Sequence, residues 1–236
     1  GKSSLAIKVL SIFGVLFGTI LFIIFMFAAG LYNSDTGLLV FGFGFIGGAI
    51  ALNFAYDKLI IDTISLSFFS MGFVMLGMGL SELRVEANTI QFVFIITALA
   101  TLFITQNYLI SFISVLTISG NVLALIGDNK WAHEMIHVYT FVVALLLSFT
   151  FFKEARIIST SKKLSKLYNP VRIALIFSFI SGLFFIGKKG LISISPNYLW
   201  ISSVVSICAI FYVIYILCNT FNVTRQQDKI MVYGTA

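Results

Sequence analysis

Eight apolar segments, each close to 20 residues long, divide this chain, and short polar breaks separate them. A helix needs about 20 apolar residues to cross the roughly 30 Å hydrocarbon core of a bilayer. Hydrophobic residues make up 59% of the sequence and charged residues 10%, against roughly 25% charged residues in soluble domains. Because lipid offers no hydrogen bonds to a backbone, this pattern predicts an all-α integral membrane bundle. The predicted spans of this single domain, residues 1–236, are 10–32, 37–56, 63–83, 89–105, 108–127, 133–152, 171–187 and 197–218.

The break between the fourth and fifth segments is the shortest, since only Gln106 and Asn107 interrupt the apolar sequence there. Two arrangements fit this spacing. The segments form either a tight hairpin of two spans, or one long span followed by a re-entrant piece.

Basic residues are distributed unevenly over the breaks, which predicts the orientation in the membrane. With eight spans, four of the fifteen basic residues lie on one side (Arg84, Lys130, Lys188 and Lys189) and eleven on the side of both termini. Because cytoplasmic loops are enriched in Lys and Arg, we expect both termini in the cytoplasm. The eleven are Lys2, Lys8, Lys58, Lys153, Arg156, Lys162, Lys163, Lys166, Arg172, Arg225 and Lys229.

The basic loop 153–170 is the only long one. Ile157, Leu164 and Tyr168 recur at helical spacing, whereas Lys162, Lys163 and Lys166 lie elsewhere. This pattern predicts a short helix on the inner leaflet with its lysines near anionic lipid headgroups. A solvated basic loop that only sets the topology is the alternative. We expect Asn169-Pro170 to end the loop, because proline suits the first turn of a following helix.

Small residues at a spacing of four mark two helices. Gly14 and Gly18 form G-x-x-x-G in the first span, and Gly44 and Gly48 do so in the second. Such pairs let helix backbones approach closely in lipid. They predict packing within the chain or association with another membrane protein or a second copy.

The sequence His133-Glu134-Met-Ile-His137 matches the H-E-x-x-H pattern of zinc hydrolases. On a helix, His133 and His137 share a face where both can bind zinc, and Glu134 can act as general base. A catalytic zinc also needs a third protein ligand. Downstream, the nearest carboxylate is Glu154, about 25 Å away along a helix. The alternative is a pair of polar residues at the membrane interface, where Trp131 also belongs.

A transport site needs polar groups inside the membrane. No Asp, Glu, Lys or Arg lies at the centre of a predicted span. The polar candidates are Asn53, late in the second span, Asn107, between the fourth and fifth, and Asn121, within the fifth. They predict either a site for a neutral solute or ordinary hydrogen bonds between helices.

Several stretches resemble a family of bacterial membrane proteins. They are residues 7–22, 42–53 (G-F-G-F-I-G-G-A-I-A-L-N), 62–77, 152–156 (F-K-E-A-R) and 169–172 (N-P-V-R). The family is described as a domain of unknown function and occurs beside GDYXXLXY-type membrane proteins. The resemblance implies a polytopic protein of the bacterial inner membrane and assigns no catalytic residues.

Three functions are compatible with the sequence. We expect foremost a non-enzymatic component of a membrane assembly without a cofactor, surrounded by lipid and associated with other membrane proteins or with itself. The alternatives are a small-molecule carrier that uses the asparagines and a zinc-dependent membrane hydrolase that uses H-E-M-I-H. We expect no nucleic-acid partner despite the net charge of +6, because the aromatic-basic surface that such binding uses is missing from the sequence.

Overall fold

Eight α-helices form the described part of the chain, which covers residues 5–30, 34–55 and 59–187 of a computed structural model, with six helical positions between 204 and 215. The helices are α1 (Leu5–Ala28), α2 (Asp35–Ala55), α3 (Leu59–Glu82), α4 (Ala87–Ile104), α5 (Tyr108–Asp128), α6 (Met135–Phe152), α7 (Glu154–Thr160) and α8 (Lys162–Gly187). No strand occurs in these ranges. The predicted all-α class is therefore confirmed.

Six of these helices, α2 to α6 and α8, are long and apolar enough to cross a membrane. Large apolar side chains lie on the surface, with Leu10 72% and Phe103 70% exposed, as expected where the solvent is hydrocarbon. The chain is thus an integral membrane protein with several spans. Helix α1 covers most of the predicted first span, and the predicted eighth span, 197–218, lies outside the described residues apart from the six positions. The cytoplasmic position of both termini remains a prediction.

The fourth and fifth predicted spans are two separate helices. Helix α4 ends at Ile104 and α5 begins at Tyr108, so three residues, 105–107, connect them. The alternative of one long span followed by a re-entrant piece is therefore wrong.

The chain forms two compact units, Gly1–Asn121 and Val122–Ala236. In the first unit, α2 and α3 make the most extensive contact, and α3 also packs against α1 and α4. Gly42 lies beside Leu76, and Gly48 faces Phe68, so α2 and α3 run antiparallel. The apolar core of this unit takes residues from α2, α3, α4 and α5: Ile46, Ala49, Phe69, Phe73, Leu76, Ala98 and Ile110.

In the second unit, α6 packs against α8. Gly182 leaves room for α6, since a Cβ atom there would lie 2.7 Å from Thr140 Oγ1 and 3.0 Å from the Tyr139 ring. The Tyr139 hydroxyl donates a hydrogen bond to the Ser178 carbonyl at 3.2 Å. A small residue and a buried polar contact thus hold this pair, as is common between helices in lipid.

The expected end of the basic loop at Asn169-Pro170 is wrong. Residues 154–160 form α7, and α8 begins at Lys162 and continues through Pro170. Proline inside a helix removes one backbone hydrogen bond, but Tyr168 and Pro170 are both buried, and this packing favours the continuous helix. The start signal is Ser161, whose Oγ accepts a hydrogen bond from the Leu164 N–H at 3.1 Å, as an N-cap residue does.

Candidate functional site

A cluster of polar side chains forms around Asp62, in the first turn of α3. Asp62 Oδ1 accepts hydrogen bonds from Asn107 Nδ2 at 2.5 Å and from Asn53 Nδ2 at 3.4 Å. Asn53 lies near the end of α2, and Asn107 immediately precedes α5. The cluster therefore joins three helix ends within the first unit.

Asn107 is held in one orientation by the start of α5. Its Oδ1 accepts hydrogen bonds from the backbone N–H groups of Leu109 at 2.8 Å and Ile110 at 3.0 Å, so it is the N-cap of the helix. The side-chain amide nitrogen consequently faces Asp62. Thr105 completes the arrangement, because its hydroxyl accepts a bond from Asn107 N at 3.2 Å and donates to Asn53 Oδ1 at 3.4 Å.

Two of the three predicted asparagines thus meet, and the third does not. Asn121 Nδ2 instead donates to the Thr117 carbonyl of its own helix at 2.8 Å. Sequence reasoning missed Asp62 and Thr105 as members of the cluster. The sequence could have placed Asp62 in the first turn of a helix, because a carboxylate there interacts favourably with the helix dipole. That signal does not predict the contact with Asn107.

The position of the cluster limits what it can do. The apolar part of α2 ends at Asn53, and that of α3 begins at Ile64, so the cluster lies at the ends of the spans. Solute sites of transporters lie near the middle of the bilayer. Most of the polar atoms in the cluster bond to one another, which suits a joint between helix ends better than a site for a solute.

The H-E-M-I-H sequence does not form one regular helix. Helix α6 begins at Met135, and the backbone N–H groups of Ile136 and His137 donate three residues back, to His133 and Glu134, both at 3.3 Å. These two bonds have the i→i−3 spacing of a 3₁₀ turn, which precedes the regular α-helix. The placement of both imidazoles on one helix face stays a prediction.

The two histidines also have different surroundings. His133 Nε2 lies 3.3 Å from the Gly127 carbonyl oxygen in the last turn of α5, a contact that satisfies a helix end. His137 is 4% exposed, and its Nε2 has no hydrogen-bond partner in the described part of the chain. Among the described residues, no three His, Cys, Asp or Glu side chains are close enough together to hold a metal. The zinc site stays a prediction without a third ligand.

An apolar cleft opens on the first unit where α1, α2 and α3 meet. Its lining is wholly apolar: Phe22, Phe25, Met26, Phe41, Phe45 and Met75. Phe22 and Phe45 touch edge to face across it, with ring centroids 5.7 Å apart.

The predicted glycine pairs adjoin this cleft. Gly14 and Gly18 precede Phe22 by eight and four residues and so share its face of α1. On α2, Gly44 and Gly48 each lie three residues after Phe41 and Phe45, a spacing that makes them neighbours on the helix surface. A Cβ atom at Gly14, Gly18 or Gly44 would meet no described atom within 4 Å, and at Gly48 only the Phe68 ring at 3.9 Å. These four glycines therefore do not serve close packing within the described chain.

The predicted lipid-facing lysines begin α8. Lys162 and Lys166 are exposed and Lys163 is half-buried. Close by, the F-K-E-A-R and N-P-V-R stretches come into contact, since Arg172 Nη1 lies 3.8 Å from Glu154 Oε1. The contact of these lysines with lipid headgroups remains a prediction.

The family resemblance is confirmed by comparison with known families. The sequence model of the family described as "Domain of unknown function (DUF4401)" matches residues 4–236. No curated protein and no solved structure matches the chain. The match covers nearly the whole sequence, including the stretches that meet at Arg172, and the chain accordingly belongs to the DUF4401 family.

Proposed function

We propose that this protein is a non-enzymatic component of an assembly in the bacterial cytoplasmic membrane, where its α1–α2 surface receives a transmembrane helix of another protein. The observation that carries the proposal is the contrast between two sets of glycines. A Cβ atom at Gly42, Gly72 or Gly182 would lie within about 3 Å of a neighbouring helix, whereas one at Gly14, Gly18 or Gly44 would meet none of the described atoms within 4 Å.

The surface has the features that a docked helix requires. Without a hydrophobic driving force in lipid, helices associate through close van der Waals packing at small residues. Because Gly14, Gly18 and Gly44 carry no side chain, the backbone of another helix can approach closely there. The adjoining cleft of Phe22 and Phe45 gives space for a side chain from that helix. The surrounding exposed residues, such as Phe17 and Phe41 at 64% and 55%, are apolar, so the partner segment is an apolar helix with small residues of its own.

A site-specific photocrosslinking experiment tests this proposal. A benzophenone side chain is placed at Phe17 beside the glycines, or at Phe103 on α4, which is 70% exposed. Under native expression we expect a discrete protein adduct from position 17. Its mass distinguishes a second copy of this chain from a different membrane protein. The adduct should disappear in Gly14→Leu/Gly18→Leu and persist in Gly120→Leu/Gly127→Leu, whose glycines are equally open. Adducts with lipid alone at both positions would refute the proposal.

A small-molecule carrier is the second candidate, and it rests on a buried hydroxyl deeper in α3 than the Asp62 cluster. Ser65 lies three residues after Asp62 in α3, about one helical turn further from the start of the helix. Ser65 is fully buried, and its hydroxyl has no hydrogen-bond partner among the described residues. A polar path that continued from Asp62 past Ser65 would be the beginning of a route for a solute.

Cysteine accessibility separates the two candidates. In a background with Cys208 and Cys218 replaced by serine, Ser65→Cys is treated with a charged methanethiosulfonate reagent. Ser81→Cys, at an exposed position, is the control. We expect modification of Ser81→Cys alone. Rapid modification of Ser65→Cys would show a water-filled path and would favour the carrier.

A further inference from the structure

Helix α7 and the start of α8 are held together by Arg172. Its Nη1 donates to the Tyr168 hydroxyl at 3.1 Å and its Nη2 to Asn169 Oδ1 at 3.3 Å. The guanidinium also lies 3.8 Å from Glu154 Oε1 on α7 and 5.7 Å from the centre of the Phe151 ring. The Tyr168 hydroxyl donates in turn to the Thr150 carbonyl at 3.2 Å. These contacts join three segments, which are the end of α6, helix α7 and the first turns of α8. We call this region the corner.

This corner carries most of the net charge of the protein. Residues 153–172 contain six basic side chains and one carboxylate, a net charge of +5 out of +6 for the chain. The single carboxylate, Glu154, is beside Arg172. The remaining cations are Lys153, Arg156, Lys162, Lys163 and Lys166.

The lysines occupy the end of α8 where the helix itself is electropositive. Lys162 and Lys163 are its first two residues, and Lys166 lies one turn further. The helix dipole places a partial positive charge at this end, so cations there are unfavourable unless an anion is nearby. The corner consequently favours an anionic ligand.

The length of α8 places these residues at the membrane surface. Its 26 residues extend about 39 Å, whereas the hydrocarbon core is about 30 Å thick. The basic first turns therefore extend beyond the hydrocarbon, among the lipid headgroups. Ile158 and Leu164, each 40% exposed, lie among the cations and can enter the boundary with the acyl chains, as in interfacial amphipathic helices.

We infer that this corner is a docking surface for anionic phospholipid headgroups. The phosphodiester oxygens bind at Lys162, Lys163 and Lys166, and Ile158 and Leu164 contact the upper acyl chain. A zwitterionic headgroup carries an ammonium group that opposes the same cations, so it binds less tightly. The surface would thereby fix the depth of α8 in the membrane.

Lipid retention by the purified full chain tests this inference. The protein is exchanged from detergent into equal amounts of phosphatidylglycerol and phosphatidylcholine with the same acyl chains, and bound lipid is measured by native mass spectrometry. Since each basic residue near an anionic surface contributes about fivefold in affinity, Lys162→Gln/Lys166→Gln should lose roughly 10- to 30-fold of the preference for phosphatidylglycerol. The matched control Arg84→Gln/Lys130→Gln removes two exposed charges elsewhere and should keep the preference.

Two further arms make the outcome decisive. Millimolar glycerol phosphate should compete poorly, because it lacks the acyl chains that contact Ile158 and Leu164. Complete competition would show a site for a free phosphate and would overturn the inference. Equal retention of both lipids by wild type, or equal losses in the two double variants, would overturn it as well. Unchanged melting temperatures of the variants exclude a general loss of structure.

Discussion

Gly42 of α2 and Gly72 of α3 lie so close together that neither position has room for a side chain. A Cβ atom at Gly42 would lie 3.1 Å from the Gly72 carbonyl oxygen, and one at Gly72 would lie 2.8 Å from the Gly42 carbonyl oxygen. This contact sets the separation of α2 and α3, whose interface is the most extensive in the first unit.

Gly72→Ala should therefore destabilise the protein. The added methyl group would lie 2.6 Å from Ile46 Cγ1 as well as against the Gly42 carbonyl, and overpacking of this kind costs about 1–3 kcal/mol. Gly44→Ala, on the open side of α2, should be neutral or stabilising, because alanine favours a helix over glycine. Unfolding in a mixed detergent titration measures both changes. Equal stability of the two variants would show that α2 and α3 do not cross at these glycines.

Arg84→Gly should stabilise the connection between α3 and α4. Arg84 has a φ of 56°, and the N–H groups of Arg84 and Val85 donate to the carbonyls of Ser81 and Leu80, the Schellman pattern in which glycine is usual. A side chain in this conformation costs roughly 1–2 kcal/mol, partly offset by the greater freedom of glycine when unfolded. We expect a rise in melting temperature for Arg84→Gly and none for Arg84→Ala. A rise for both would point to the loss of charge instead.

The pair Asp62 and Asn107 should be energetically coupled. A hydrogen bond to a charged group contributes about 1.5–3 kcal/mol, so a double-mutant cycle with Asp62→Ala and Asn107→Ala should give a coupling within that range. Asn121 lies about 21 Å further along α5, and Asp62→Ala with Asn121→Ala should be additive within about 0.5 kcal/mol. The same small coupling for both pairs would contradict the observed contact.

Arg172→Lys should destabilise the corner more than Glu154→Gln does. Lysine cannot reach Tyr168 and Asn169 together, because it lacks the planar fork of arginine. The Arg172–Glu154 pair has side chains 27% and 47% exposed, and ion pairs at such positions contribute about 0–1 kcal/mol. We expect the melting temperature to fall clearly in Arg172→Lys and slightly in Glu154→Gln. A larger fall in Glu154→Gln than in Arg172→Lys would show that the ion pair, and not the hydrogen bonds of Arg172, stabilises the corner.

Purified protein should contain no stoichiometric zinc. His133 precedes α6 and contacts the Gly127 carbonyl, and the described residues offer no third ligand beside His133 and His137. Elemental mass spectrometry of wild type and His137→Ala measures this directly. One zinc per chain in wild type, lost in His137→Ala, would restore the hydrolase hypothesis.

The sequence alone identified helices that are long and apolar enough to cross the membrane, because a run of about 20 apolar residues is a local property that lipid enforces. For the same reason, the predicted spans agree with α2 to α6 within a few residues. The predicted start of α8 was wrong by nine residues. There, the local signal of Asn169-Pro170 competed with the burial of Tyr168, which sequence spacing does not reveal.

Only the tertiary structure decided which residues meet. Asn53 and Asn107 are 54 positions apart in the sequence, and they share Asp62 because three helix ends converge there. Gly44 and Gly48 match the G-x-x-x-G pattern, yet Gly42 makes the close contact with α3. The face of a helix that is buried depends on how its neighbours cross it, and crossing is set by packing over the whole interface rather than by local spacing.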